Sequence, residues 1–134
     1  MNEPIPQHAI RMISFLVNFI DFKIENPFDS NIPEGLEVKI GYSNLYNEDD
    51  TTHFTVNLEL ILNSPDNTFM LQVKSMALFQ TQSPIDEAFK NSSFVSVNAP
   101  AIAFPFLRSF ITTLTSNAGV KPVILPAFNF NQSQ

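Results

Sequence analysis

The side chains that could carry chemistry in this 134-residue chain are few: two histidines, His8 and His53, and an acidic run, Glu48-Asp49-Asp50, just ahead of the second. Hydrolytic or covalent work asks for a nucleophile set against a base. No nucleophile-elbow serine, His-Glu-x-x-His pair, phosphate-binding loop or dinucleotide glycine fingerprint occurs. The acidic run lacks the ordered oxygen ligands and sharp-turn glycine of a calcium loop, and reads as a solvated hairpin turn. Gly35, Gly41 and Gly119 are too scattered to cradle a phosphate. The absence of cysteine excludes disulfides and thiolate metal sites. No metal, cofactor or enzymatic activity is expected.

The residue type in excess is aromatic. Fourteen phenylalanines and two tyrosines, with no tryptophan, make an aromatic population almost without polar handles. Any one phenylalanine is most simply a core residue. As a set they exceed what a small sheet and two helices can enclose, and Phe28, Phe94, Phe104, Phe106, Phe128 and Phe130 fall near loops or element ends. Those six are candidates for an apolar groove or a subunit interface.

The elements that must position them follow from hydrophobic period. Phe15, Val17 and Phe19, then Phe22 and Ile24, alternate with a shift of phase, which predicts a long first strand bulged near Ile20-Asp21 and ended by Asn26-Pro27. Leu36 to Tyr42 and Phe54 to Leu62 alternate cleanly as second and third strands, and Ser64-Pro65-Asp66-Asn67 turns the chain into a fourth, Phe69 to about Phe79. Successive strands joined by turns predict an antiparallel sheet. A short helix is expected from Pro84 to about Lys90, capped by Ser83, and a long one from Pro105 to Gly119 with Leu107, Phe110, Ile111, Leu114 and Ala118 as its stripe. The tail Pro122 to Phe130 is too proline-broken for a helix and too apolar for water, so it should lie extended across the fold. Asn131 to Gln134 should fray. The fold class is therefore α+β: a four-stranded antiparallel sheet packed by one long and one or two short helices, in a single domain over 1–134.

Charge and leader signals narrow the partners. A formal net charge of −6 with seven Lys and Arg opposes phosphate backbones, so no nucleic-acid partner is expected. The start, Met1-Asn2-Glu3-Pro4, is acidic and proline-broken rather than a secretory leader, and the apolar run from Ile10 to Phe22 is too short and too polar to span a bilayer. A cytoplasmic protein with no membrane insertion is expected.

The blocks Asn98-Ala99-Pro100-Ala101-Ile102, Phe104-Pro105-Phe106-Leu107-Arg108 and Leu125-Pro126-Ala127-Phe128-Asn129-Phe130, with the strand hairpins upstream, resemble the SecB family of export chaperones. The resemblance implies a non-enzymatic, ATP-independent holdase without nucleotide or other cofactor. Such a protein binds unfolded preproteins in an aromatic groove, here Phe94, Phe104, Phe106, Phe128 and Phe130. It also implies a face that docks the SecA translocase, carried over to Asp21 and Glu25, with Gln72 standing near where a third acid is expected. Phe110, Ile111 and Leu114 cannot cover both the sheet and the remaining aromatics, so these helix residues or the first strand are expected to meet a second subunit in a homodimer, which the resemblance extends to a homotetramer. Two other readings stand beside it: an adaptor dedicated to one partner, such as an antitoxin-specific chaperone, and a carrier of a small apolar ligand.

Overall fold

The computed structural model describes residues 10–28 and 34–130; the readings made for His8, for Ile5 to Ala9 and for Asn131 to Gln134 lie outside them. Strand β1 runs Ile10–Ile24, β2 Glu37–Asn47, β3 Asp50–Asn63 and β4 Phe69–Thr81. All neighbours are antiparallel in the order β1-β4-β3-β2, so β1 and β2 form the two edges. Only the last two connections are hairpins; the chain crosses from β1 to the far edge before β2.

β1 carries two register shifts, between Met12 and Ser14 and between Val17 and Phe19, rather than one near Ile20-Asp21. Each extra residue resets the alternation, so that Met12, Phe15, Val17, Phe22 and Ile24 all pack inward despite mixed parity. Phe19 therefore falls on the outer face, 41% exposed, with the Lys74 ammonium 5.1 Å from its ring centre. The β2–β3 hairpin closes from Asn47 to Asp50, with Asn47 Oδ1 accepting from the Asp49 N–H at 2.9 Å. In the β3–β4 turn, Asp66 Oδ1 accepts from the hydroxyls of Ser64 and Thr68, both at 2.8 Å, and Asn67 takes the left-handed φ of 61°.

One face of the sheet is dry. Phe54, Val56, Leu58, Leu60 and Leu62 of β3 and Phe69, Leu71, Val73, Ala77 and Phe79 of β4 are all at most 2% exposed. Ser75, a polar residue in that row of β4, donates to the Leu58 carbonyl at 3.1 Å. The covering layer begins with helix α1, Glu87–Lys90. It starts three residues later than Pro84 because the Ile85 N–H is bonded to the Thr51 carbonyl at 2.6 Å, and Asp86, not Ser83, caps the helix through the Phe89 N–H. A π-helical turn, Phe94–Asn98, leads directly into α2, Ala99–Asn117.

Helix α2 thus begins six residues before Pro105, with Pro100 in its first turn. Pro105 lies inside the helix on its exposed side, where water can serve the carbonyl that its ring leaves unbonded. Ala103, Leu107, Ile111 and Thr115, four apart, form a fully buried stripe against the sheet. By length and apolarity the helical run Phe94–Asn117 could cross a bilayer, but this stripe is seated on β1, β3 and β4 instead. Gly119 ends the helix at φ 91°. The tail then runs back without regular structure, with Val123, Leu125 and Phe130 buried.

Two measurements check this account. Leu107→Ala should cost about 2–5 kcal/mol in urea unfolding, while the exposed Arg108→Ala stays within about 0.5 kcal/mol. The hydrogen bonds that Asp66 accepts from Thr68 and Ser64 hold its carboxyl below the ordinary 3.8. A depressed folded value makes this stabilisation present above the unfolded pKa and lost as pH falls through the folded one. Thermal melts of Asp66→Ala should therefore lie below wild type near neutral pH and converge on it in acid.

Candidate functional site

The residues of β2 that point to the covered side are Ile40, Tyr42, Asn44 and Tyr46, and all four are only half-buried. Their alternation places the two tyrosines four residues apart on one face, about 13 Å along the strand. At the Tyr42 end, Phe130 meets the Tyr42 ring edge-on at 5.5 Å and Phe104 at 5.9 Å, and Phe128 stands 4.8 Å from Phe130. The Tyr42 hydroxyl donates to the Ser96 carbonyl at 3.0 Å, tying the strand to the π-helical turn. At the other end Tyr46 stacks on Phe54 at 5.9 Å, and Phe54 passes to Phe89, which stacks on Phe94. Lys90 stands 4.8 Å over the Tyr46 ring. Burial, and after it the charge of Glu87, push the Tyr46 hydroxyl above its ordinary value.

The five phenylalanines read from the sequence as a groove therefore separate into three places. Phe104, Phe128 and Phe130 come together at Tyr42; Phe94 lies at the Tyr46 end. Phe106 is on another surface, against Phe15 at 5.8 Å, in a groove of about 410 Å³ between β1 and α2. Phe104 and Phe130 are buried and Phe128 is 38% exposed, so the tail of the chain itself covers part of this rail. Sequence reasoning passed over Tyr42, Tyr46 and Asn44. The signal available was that the only two tyrosines share one parity on an edge strand. Asn44 Oδ1 is buried without a hydrogen-bond partner among the described residues.

Of the residues read as a subunit interface, Ile111 is fully buried in the protomer's own core, so its side chain cannot meet a partner. Phe110 and Leu114 are half-buried, and Phe110 lines the β1–α2 groove with Phe106. β1 and α2 also expose Ile13, Leu16, Ile20, Ile102 and Phe106.

Asp21 lies on the outer face of β1, opposite Gln72, and Glu25 continues the same alternation just past the strand. Glu25 is 3.9 Å from Lys23, and Gln72 donates to Glu59, whose cross-strand neighbour is Lys74. The face is thus mixed in charge, with Glu59 as an acid that the sequence did not single out. The Glu48-Asp49-Asp50 run is an ordinary turn: His53 Nδ1 lies 3.0 Å from Asp50 Oδ1, and that bond, then the Thr52 N–H, holds Asp50 below its usual range. Among the described residues no cluster of His, Asp and Glu could hold a metal ion.

Comparison with known proteins agrees with this fold. Residues 17–133 match the family described as preprotein translocase subunit SecB. An uncharacterized protein of Methanocaldococcus jannaschii is 28% identical over 132 residues, covering 95% of this chain and 83% of that protein. The protein-export protein SecB of Rickettsia conorii is 27% identical, covering 96% and 86%. Among solved structures, a SecB-like chaperone of Mycobacterium tuberculosis, in complex with a ChAD peptide from the HigA1 antitoxin, superposes with a TM-score of 0.70 at 12% identity, over 90% of this chain and 88% of that one. Its fold is the same four-stranded antiparallel sheet with a long C-terminal helix. With the match to the family covering most of the chain, this protein belongs to the SecB family.

Proposed function

We propose that this protein is a cytoplasmic, ATP-independent holdase that binds unfolded polypeptides along the inner side of β2, as one domain spanning 1–134. The observation that carries the reading is the aromatic rail, Tyr42 to Tyr46 with Phe128 and Phe94 at its ends, on an edge strand half-open to solvent. Unfolded chains offer apolar side chains and unpaired amides. Aromatic faces bury the former without a sequence code, and an edge strand offers backbone partners to the latter. The unpartnered Asn44 Oδ1 lies between the two tyrosines, and an unmet buried acceptor favours a bound N–H donor. Membership of the SecB family supports a non-enzymatic role.

A second reading, a chaperone dedicated to one partner, is favoured by the SecB-like structural neighbour, which was solved with a peptide from a single antitoxin. Delivery to SecA is the finest part of the proposal and rests on Asp21 and Glu25, with Gln72 where a third acid is expected and Glu59, bonded to Gln72, as the nearest acid beside it. The Lys23–Glu25 pair is exposed and contributes little of its own. Self-association rests on the β1–α2 surface, whose exposed Leu16, Ile20, Ile102 and Phe106 favour a second copy of the chain.

Calorimetry with one client, first unfolded and then folded, tests the holdase: binding to the unfolded form alone is expected, and binding to neither would remove a general chaperone role. Light scattering at micromolar concentration tests the interface. The wild type should be a dimer or larger and Phe106→Glu should shift it toward monomer, whereas a monomeric wild type would contradict the assignment.

A further inference from the structure

The aromatic seat at Tyr42 is already occupied, and its occupant is part of the same chain. Phe130 is 2% exposed and sits against Tyr42, Phe104 and Phe128. The segment bringing it there has the chemistry of a client: Pro122-Val-Ile-Leu-Pro-Ala-Phe-Asn-Phe130 is apolar, and no charged residue follows Lys121. Its conformation is client-like as well. It has no regular structure up to Asn129, and over its first part the side chains alternate, Val123 and Leu125 buried, Ile124 70% exposed and Pro126 exposed.

The upstream end of this strap is fixed. The Val123 N–H donates to Thr115 Oγ1 at 2.9 Å, and its carbonyl accepts from Thr112 Oγ1 at 2.8 Å. These bonds clamp the strap to α2 while its aromatic end lies seven residues on, over β2. A tether of that length holds Phe130 near the seat at high effective concentration.

We infer that residues 126–130 are an internal pseudo-client, and that an unfolded polypeptide takes the Tyr42 seat by displacing Phe130. This rests on the holdase reading above and adds regulation to it. Apparent client affinity is then reduced by the fraction of molecules whose seat is closed. A client with an aromatic side chain competes, while one without cannot. The bonds at Val123 limit how far the displaced end can move, so the seat closes again when the client goes.

Phe130→Ala in the full chain tests this, titrated with an unfolded client containing aromatic residues. The inference expects binding tighter than wild type by about tenfold, as the closed population is removed; unchanged or weaker binding would make Phe130 a wall of the groove and overturn it. Should that variant fold poorly, 4-fluorophenylalanine at position 130 of the otherwise native chain gives a second reading by fluorine NMR. Its resonance should move to a solvent-exposed position at saturating client, and a resonance that stays put overturns the inference. Wild-type binding with no gain in Phe130→Ala defeats the strap alone. Absence of binding by both proteins defeats the strap and the holdase reading together.

Discussion

The structure depends on a mismatch of widths. Four strands about 4.8 Å apart span about 14 Å between the axes of the edge strands, and one helix with its side chains is about 10 Å across. Helix α2 is seated over β1, β3 and β4, where the fully buried rows of β3 and β4 meet Ala103, Leu107 and Ile111. The underside of β2 is left to be covered by lesser pieces, namely the π-helical turn and the tail. Half-burial of Ile40, Tyr42, Asn44 and Tyr46 is the direct result. The candidate site is the part of the sheet that the helix cannot reach.

The same constraint explains the aromatic excess. Large flat rings close a wide gap with few residues and little conformational entropy. Here they come from four separate stretches: β2, the α1 region, the start of α2 and the tail. The tyrosines stand where the rings reach water, each with a polar neighbour: the Ser96 carbonyl for Tyr42, and the Lys90 ammonium above the Tyr46 ring. The deeper rings, Phe54, Phe79 and Phe69, need no such handle and have none.

Much of this was legible from residue order. Alternation in β3 and β4 announced the dry face, and Asn98-Ala99-Pro100 with the Leu125 to Phe130 block announced the family. Grouping of the site residues was not legible, because it depends on which strand lies at the edge. The order β1-β4-β3-β2 puts β2 beside the tail, and no local pattern reports that crossover. Phe106 falls near an element end like Phe104, but two residues apart on a helix the pair points in different directions. The start of α2 was set at Pro105 on proline's preference for first turns; Pro100 fills that role, and an exposed interior proline is tolerated. Ile111 was read as an interface residue from its stripe, and that stripe is the core itself.

The central claim is that extended chains bind under β2 and not on the outer face of the sheet. Aromatic and methyl NMR spectra of the protein, recorded with and without an unfolded client, test it most directly. The account predicts shifts at Tyr42, Tyr46, Phe94 and Phe128, with Met70, Met76 and Leu78 of the outer face unmoved. Perturbation of the outer-face methyls with the tyrosine and phenylalanine signals unchanged would contradict it.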